Sequence, residues 1–241
     1  MSNRALFILL AAGSGQRYGA YKPMVKLAGR PLIYWSLKRI SEQARSVAGV
    51  VVALPSGWTW RRLERAGAVP GRFSWQPVVV RGGSTRFESL KNCLKAIRQN
   101  PSVWADFVFV HDAARPLWPS VWIPRMLASL GKNPSASGVA PLVPVRETVK
   151  SVNGKMSTLD RREYLRASQT PQLVRLKDFT RALAVCSPRT NFLDEAQILE
   201  LAGLRVLPFE GYFGNIKVTY PVDTAMLEGL LRSSHAHRSG V

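Results

Sequence analysis

A glycine-rich, basic loop close to the amino terminus has the composition of an anion-binding site. Residues 9–19 read LLAAGSGQRYG, and Lys22 follows three positions later. Glycines let backbone N–H groups approach an anion closely, and Arg17 and Lys22 add two positive charges beside them. The glycine spacing matches neither the dinucleotide-binding fingerprint nor the Walker loop. A tight strand-to-helix turn with solvated charges is the plainer interpretation, but the adjoining basic pair favours a phosphate site.

A carboxylate in the middle of the chain stands where α/β proteins bind their ligands. Asp112 comes shortly after an apolar run at residues 107–110, which indicates a buried strand. Ligands of open α/β sheets bind at the carboxyl ends of the strands. A carboxylate there, beside cations suited to a triphosphate, predicts a Mg²⁺ ligand; a helix cap or an ion pair with Arg115 is the alternative. The neighbouring His111 has no matched nucleophile, which favours a hydrogen-bonding role.

Small and hydroxyl-bearing residues mark a further strand-to-helix transition at residues 81–90 (RGGSTRFESL). A backbone group together with a hydroxyl could bind the polar edge of a ligand. Thr85 or Ser84 is also a good helix N-cap. The two interpretations are compatible.

Short apolar runs that alternate with amphipathic stretches must position these groups. Buried strands are predicted at residues 6–10, 47–54, 76–80, 107–110 and 138–145. Helices are predicted at residues 30–42, 59–66, 85–98 and 121–130. Strands that alternate with helices imply parallel pairing through right-handed crossovers. The predicted fold is therefore α/β, with a doubly wound, mostly parallel sheet.

One segment interrupts this order and predicts a projecting arm. Residues 147–152 and 155–159 flank Asn153-Gly154, the preferred pair of a two-residue hairpin turn. Both faces of the hairpin are too polar to be core, and a lone hairpin is only marginally stable in water. We expect a single domain at residues 1–231, with an arm at about 144–162; a surface hairpin without a partner is the alternative. Residues 232–241 are expected to form a flexible basic tail.

Composition limits the partners and the location. The 241 residues carry 34 basic and 15 acidic side chains, a formal net charge of +19, which indicates an anionic partner. No nucleic-acid-binding motif is visible, so a non-catalytic nucleic-acid-binding protein is the remoter hypothesis. The apolar runs are too short to span a membrane, and residues 5–12 are interpreted as a buried strand rather than a signal peptide. Two cysteines in no metal or redox spacing favour a cytoplasmic protein.

Further motifs follow the glycine loop in one order and identify a family. They are residues 27–31 (LAGRP), 81–90 (RGGSTRFESL), 111–116 (HDAARP), 144–150 (PVRETVK), 169–172 (QTPQ) and 215–219 (NIKVT). With these motifs the chain resembles the 2-C-methyl-D-erythritol 4-phosphate cytidylyltransferase family over roughly residues 6–228. The resemblance implies a Rossmann-like nucleotidyltransferase fold and an enzyme that joins CTP to a phosphorylated polyol and releases diphosphate. It also implies a divalent cation such as Mg²⁺ and a homodimer formed by exchange of arms.

The same resemblance assigns roles to individual positions. Arg17 and Lys22 would be catalytic, and Asp112 would hold the metal. The expected nucleotide-binding residues are Ala11, Ala12, Gly13, Gly15, Gly83 and Ser89. Of these, Gly83 and Ser89 would help to read the cytosine, because a backbone group and a hydroxyl suit the edge of a pyrimidine and tight packing would exclude a purine. The expected residues around the acceptor phosphate are Arg115, Thr148, Arg162, Thr170 and Lys217, of which Thr148 and Arg162 would serve a partner subunit.

Departures from the family pattern leave some alternatives open. The loop between Arg17 and Lys22 is about two residues short, so Lys26 is a possible substitute for Lys22. The acidic motif has Leu193 where the family usually has threonine, and Gly214 stands where an acidic residue is common. Ribitol 5-phosphate is the alternative acceptor, because its cytidylyltransferase shares the fold and most motifs.

Overall fold

The computed structural model describes residues 5–13, 15, 18–71, 73, 75–100, 105–159, 161–186 and 192–236. The strands are β1 (Ala5–Leu10), β2 (Lys26–Leu27), β3 (Arg30–Pro31), β4 (Val47–Leu54), β5 (Val78–Arg81), β6 (Phe107–Asp112), β7 (Gly138–Pro144), β8 (Lys150–Asn153), β9 (Lys155–Thr158), β10 (Arg166–Ser168), β11 (Gln172–Arg175) and β12 (Val206–Glu210). The helices are α1 (Leu32–Ser41), α2 (Trp60–Arg65), α3 (Arg86–Gln99), α4 (Trp122–Gly131), α5 (Leu176–Val185), α6 (Glu195–Leu201) and α7 (Pro221–Ala236).

A mixed, mostly parallel sheet organises the molecule. Its strand order is β10-β7-β11-β6-β1-β4-β5, and β12 pairs with β7. β1 runs parallel to both of its neighbours, β4 and β6, and β5 runs parallel to β4. β11 runs antiparallel to β6 and β7. The predicted α/β fold with a doubly wound sheet is confirmed, and the carboxyl ends of β1, β4, β5 and β6 share one edge.

Two hydrophobic cores cover the opposite faces of this sheet. Phe7 and Leu9 of β1 pack in one core with residues of α1 and α4. Leu6 and Ile8 pack in the other core with residues of α3, α5 and α6. Successive side chains of a strand point to opposite faces, so a central strand covered on both sides needs an unbroken apolar run. That requirement explains why the runs in the sequence located the strands.

Side-chain caps set the start of three helices. Thr59 Oγ1 accepts from the N–H of Arg62 at the start of α2, and Thr85 Oγ1 accepts from the N–H of Glu88 at the start of α3. Asp194 caps α6 in the same way. The helix predicted at residues 30–42 begins only at Leu32, because residues 30–31 pair with β2 instead.

The predicted hairpin is present, whereas part of the predicted tail is helical. β8 and β9 form an antiparallel hairpin around Gly154, whose φ is +72°, and every residue of both strands is exposed. The predicted tail at residues 232–241 needs correction, because α7 continues to Ala236. Residues 230–236 contain no helix-breaking glycine or proline, and Leu230 packs against a small apolar cluster. Residues 237–241 lie outside the described residues.

In the described part of the chain, no helix is long and apolar enough to cross a membrane.

Candidate active site

A cleft of about 370 Å³ opens at the carboxyl ends of β1, β5 and β6. Its walls come from the loops after β1 and β5, the first turn of α3, the end of β6, the 3-10 helix Lys22–Met24 and the segment after β12. This volume is typical of small-molecule sites. The predicted site residues that line it are Ala11, Ala12, Gly13, Lys22, Gly83, Ser89, Asp112 and Lys217.

Two glycines allow the walls of the cleft to approach each other. A Cβ at Gly82 would lie 2.1 Å from the Cβ of Ala12, so the loops after β1 and β5 are in direct contact. Gly15 has a φ of +69°, and a Cβ there would lie 1.9 Å from the Ala20 carbonyl oxygen and 3.2 Å from the Lys22 Cγ. Gly15 is not on the cleft wall itself. It lets the loop fold back so that the Lys22 side chain packs against it.

Hydrogen bonds fix the loop after β5 onto the first turn of α3. The Ser89 hydroxyl accepts from the N–H of Gly83 at 3.0 Å and donates to the Thr85 carbonyl at 3.0 Å. The predicted cap at Thr85 is therefore present at the same loop as the predicted nucleotide site. Ser89 supports the Gly83 backbone at the cleft wall.

Three charged side chains of the cleft wall, together with a buried carboxylate behind it, form one ion-pair network. Asp112 forms an ion pair with Arg86 through Oδ1 and with Lys217 through Oδ2, the second at 2.8 Å. Arg86 also donates to Glu195 through Nε and Nη2, at 2.8 to 3.1 Å. The Glu195 side chain is fully buried, and the planar guanidinium satisfies its charge. Arg86 thus links a buried carboxylate to the carboxylate of the cleft.

The surrounding positive charge keeps Asp112 ionised. Burial alone would raise the pKa of Asp112, but Arg86, Lys217 and Arg115 hold it well below its usual range. Burial also disfavours the charged form of Arg86, yet Asp112 and Glu195 outweigh this and raise the pKa of Arg86. The Asp112 carboxylate therefore remains negative in a cleft whose other charged lining residues are the cations Lys22, Arg86 and Lys217.

A chain of hydrogen bonds behind the cleft holds the backbone of Asp112. Its N–H donates to Thr170 Oγ1 at 3.1 Å, and that oxygen lies 3.1 Å from His111 Nδ1. His111 Nε2 lies 3.0 Å from the Arg115 carbonyl, which can only accept, so Nε2 carries the proton and Thr170 donates to Nδ1. Burial lowers the pKa of His111 to about 3 and keeps the ring neutral. The hydrogen-bonding role of His111 is confirmed, and Thr170 lies behind Asp112 rather than on the cleft wall.

Arg115 lies beneath the segment that carries Lys217. Its Nη1 donates to the Asn215 carbonyl at 2.9 Å, and its Nη2 donates to the Ser168 carbonyl at 3.3 Å. Burial lowers the pKa of Arg115. Within the described residues, Asp112 forms ion pairs with Arg86 and Lys217 and not with Arg115, so the ion pair with Arg115 considered as an alternative is not formed.

Some predicted residues are not brought to the cleft of this chain. Thr148 and Arg162 are exposed near the arm, where Arg162 Nη1 donates to the Arg146 carbonyl at 3.0 Å. Arg17 lies outside the described residues. Of the two candidate lysines, Lys22 lines the cleft, whereas Lys26 is exposed on β2.

The two departures from the family pattern have local explanations. The ring of Tyr212 lies against Gly214, where a Cβ would be 2.4 Å from the Tyr212 Cε1, so a larger residue at position 214 would require this ring to move. Leu193 is 75% exposed, and its N–H donates to the Gln197 side chain at 2.8 Å. Asp194 caps the helix, so a hydroxyl at position 193 is not needed for this turn.

Sequence reasoning missed Arg86 and Glu195 as members of the site. Arg86 precedes Ser89 by three residues on α3, and this helical spacing places both on one face. That signal could have added Arg86 to the site. Glu195 is 109 residues away from Arg86, and no local spacing connects them.

The cleft suits a metal ion that arrives with its substrate. Among the described residues, no three histidine, cysteine, aspartate or glutamate side chains gather as they would around an enclosed metal ion. Asp112 is the acidic residue of the cleft wall. Mg²⁺ commonly takes one or two carboxylates, substrate phosphates and waters, and each carboxylate oxygen can accept more than one partner. The donor set therefore fits Mg²⁺ bound to a triphosphate.

Comparison with known proteins extends over nearly the whole chain. The family model for 2-C-methyl-D-erythritol 4-phosphate cytidylyltransferase matches residues 5–233. The chain is 34% identical over 236 residues to the protein of that name from Dechloromonas aromatica, which covers 94% of this chain and 96% of the relative. The chain is also 35% identical over 248 residues to the protein of that name from Azoarcus sp., and this match covers 99% of this chain and 97% of the relative. The crystal structure of the Thermus thermophilus enzyme matches with a TM-score of 0.74 at 28% identity, covering 95% of this chain and 99% of that one.

Proposed function

The chain belongs to the 2-C-methyl-D-erythritol 4-phosphate cytidylyltransferase family and is a CTP-dependent cytidylyltransferase, and from that premise we propose how its cleft carries out the reaction. The reaction transfers CMP from CTP to 2-C-methyl-D-erythritol 4-phosphate and releases diphosphate, as a step of isoprenoid biosynthesis. One observation carries the assignment to this cleft: Lys22 and the Asp112–Lys217 pair line the same cavity as the small-residue loop after β1.

Transfer at this cleft consists mainly of positioning and charge neutralisation. A phosphate oxygen of the acceptor forms a bond to the α-phosphorus of CTP while the bond from that phosphorus to diphosphate breaks. Lys22 stabilises the negative charge that gathers at the α-phosphate. Arg17 supplies a second cation, a role that rests on the family resemblance.

The nucleotide and the acceptor occupy different walls. Gly83, held by Ser89, and the loop at Ala12 and Gly13 offer backbone groups to the cytosine and the phosphates. The Lys217 side chain is 39% exposed, so its ammonium can reach the acceptor phosphate. Arg115 and Thr170 act behind this wall, because their polar atoms hold the segments that carry Lys217 and Asp112.

A divalent cation completes the proposal, with Asp112 as its protein ligand. When bound, Mg²⁺ would neutralise part of the triphosphate charge. Asp112→Asn keeps the shape of the side chain and removes its charge, so it should raise the Mg²⁺ concentration needed for half-maximal turnover by about tenfold or abolish turnover. Asp106→Asn is the matched control, because Asp106 is exposed and directly precedes the amino-terminal end of β6. An unchanged Mg²⁺ requirement in Asp112→Asn would contradict this role.

An acceptor panel tests the function directly. Diphosphate release is followed with CTP, Mg²⁺ and either 2-C-methyl-D-erythritol 4-phosphate or ribitol 5-phosphate. We expect turnover with the methylerythritol acceptor, and the family match does not favour ribitol phosphate. Faster turnover with ribitol 5-phosphate would reverse the choice of substrate. Salt-sensitive RNA binding without turnover would support the remoter hypothesis of a nucleic-acid-binding protein.

We also propose that the enzyme assembles as a homodimer with exchanged arms. Its support is that both arm strands are wholly exposed and that Thr148 and Arg162 do not reach the cleft of their own chain. In such a dimer these residues would face the partner's acceptor site, where the planar fork of arginine suits a phosphate.

Subunit mixing tests this assembly. Arg162→Ala and Lys22→Ala proteins, each inactive alone, are combined and allowed to exchange subunits. Heterodimers contain one intact site, so part of the activity should return. A monomer in sedimentation, or no recovery after proven exchange, would refute the shared site.

The two thiols are consistent with the cytoplasmic location that we propose. Cys93 and Cys186 are both free, and burial raises the pKa of Cys93 to about 12. A buried thiol of this kind is chemically inert, and unpaired cysteines are typical of reducing compartments.

A further inference from the structure

An aromatic contact joins the loop after β1 to the loop after β4, beside the cleft. The ring centroids of Tyr21 and Trp58 lie 4.8 Å apart, and the Tyr21 hydroxyl donates to the Ala11 carbonyl at 2.8 Å. Trp58 follows β4, which is the neighbour of β1 in the sheet. We refer to these contacts, from Ala11 through Tyr21 to Trp58, as the Tyr21 brace.

The hydroxyl of the brace holds the backbone where β1 ends. The Ala11 N–H donates to the Ala53 carbonyl at 3.0 Å, but β1 ends at Leu10 and Ala11 is part of the cleft wall. Its carbonyl therefore points out of the regular ladder and takes its hydrogen bond from Tyr21. Burial raises the pKa of Tyr21, with partial opposition from Arg62, so the phenol keeps the proton that it donates.

The brace also fixes the place of Lys22. Tyr21 is the N-cap residue of the 3-10 helix Lys22–Met24, and its carbonyl accepts from the Met24 N–H at 3.0 Å. Lys22 is the next residue, and its Cγ lies against Gly15 of the same loop. A side chain that is tied at both its ring and its hydroxyl limits the movement of the backbone that carries Lys22.

The far end of the brace is itself anchored. The Arg62 guanidinium lies 4.2 Å from the centroid of the Trp58 ring, and Arg62 Nη1 donates to the Gly57 carbonyl at 3.2 Å. Arg62 belongs to α2, whose start is capped by Thr59. A cation over an indole face adds attraction beyond packing.

We propose that Tyr21 is a positioning residue for cytidylyl transfer, which acts through Ala11 and Lys22 and is held in place by Trp58. The proposal rests on the function assigned above to Lys22. It adds a residue that does not line the cleft and that the family motifs named above do not include. In a loop that is short between Arg17 and Lys22, the brace supplies the rigidity that places the lysine.

Substitutions that remove the hydroxyl or the indole ring of the brace test the proposal. Tyr21→Phe removes only the hydroxyl and should lower kcat/KM for CTP by about fivefold, the effect of losing one neutral hydrogen bond. The loss should appear in KM through Ala11 and in kcat through Lys22. Trp58→Ala should lower kcat/KM further, by about tenfold. Tyr34→Phe, on α1 and outside the cleft wall, is the matched control and should differ from the wild type by less than about twofold.

A double-mutant comparison separates positioning from general stability. If Tyr21 acts through Lys22, Tyr21→Phe should lower kcat less than about twofold in a Lys22→Ala background. Unchanged kinetics in Tyr21→Phe, or losses in kcat that multiply independently with Lys22→Ala, would overturn the proposal. A loss of activity that only follows the unfolded fraction in thermal melts would also overturn it.

The proposed function can fail separately. Wild-type protein that releases no diphosphate from CTP and methylerythritol phosphate would refute the function. In that case, calorimetric CTP affinity decides the brace, because Ala11 is part of the cleft wall with or without turnover. A weaker CTP affinity in Tyr21→Phe would support the brace, and an equal affinity would overturn it.

Discussion

The cleft and the arm are stabilised in opposite ways. In the cleft, Asp112 contacts two cations and the buried Glu195 is satisfied by Arg86, so the polar groups are fixed by the chain's own side chains. In the arm, β8 pairs with β9 alone among the described strands, and Val152 and Met156 are 77% and 71% exposed. The comparison indicates that one chain preorganises its cleft but gives the arm almost nothing to pack against.

The largest expected effect is a loss of catalysis in the cleft without a loss of fold. Lys22→Ala removes a cation from the place where transition-state charge is largest and should lower kcat about 10³-fold. Lys26→Ala, on exposed β2, is the control and should stay near the wild-type rate. Diphosphate release and circular dichroism check the two statements. An active Lys22→Ala protein beside an inactive Lys26→Ala protein would show that the other lysine is catalytic.

The next largest effect concerns the buried ion pair that supports the cleft. Glu195→Gln leaves the Arg86 guanidinium partly unpaired in a buried place and should lower the free energy of unfolding by about 3 kcal/mol. Glu200→Gln changes an exposed residue of the same helix, α6, and should have little effect. Urea unfolding of both variants measures the difference. Equal stabilities would mean that the Glu195–Arg86 pair contributes nothing beyond its neutral replacement.

Most of the fold could be predicted because its strands are buried on both faces. Such strands need continuous apolar runs, and the run at residues 47–54 coincides with β4 as observed. The start of α3 could be predicted because Thr85 is a good N-cap residue, and its side chain caps the helix in the structure. The start of α1 was wrong by two residues, because the pairing of β2 with β3 depends on contacts that helical periodicity does not report.

The site was predictable in its chemistry and less so in its geometry. Asp112 and Lys22, which were predicted because a charge beside a strand end or a glycine loop has a local signature, both line the cleft. The bonds that join Arg86 to Glu195 and Asp112 to Thr170 span 109 and 58 residues of sequence. Only the folded sheet brings such residues together, so their roles as support could not be read from spacing.

The pH dependence of unfolding should show the contribution of the buried histidine behind the cleft. Above its ordinary pKa of 6.5, the His111 ring is neutral in both the folded and the unfolded protein. Between pH 6.5 and about 3, the ring is protonated in the unfolded protein but stays neutral in the folded protein. The unfolding free energy should therefore fall with falling pH in this window, by about 1.4 kcal/mol per pH unit from this group. His111→Gln should show a slope shallower by that amount between pH 5.5 and 4.5, measured by urea unfolding. Parallel slopes would mean that His111 already titrates in the folded protein.

The smallest effect on the chain's own stability is expected in the arm. Val152 and Met156 face each other across the hairpin, and both are already exposed. Val152→Ser with Met156→Ser should therefore change the unfolding free energy of the monomer by no more than about 0.5 kcal/mol. As a control, Val174→Ser in β11, where the side chain is 1% exposed, should cost about 2 kcal/mol.

The same arm variant should act on assembly instead. An exposed apolar pair on a two-stranded arm is suited to a second surface, and serine removes the apolar area that such contact would bury. Sedimentation over a range of concentrations should show weaker self-association in the double variant than in the wild type, with unfolding at low concentration unchanged. A loss of more than about 1 kcal/mol where the protein is monomeric would show that the arm packs on its own domain. The contrast between a self-sufficient cleft and a dependent arm would then be wrong, because both regions would draw their stability from a single chain.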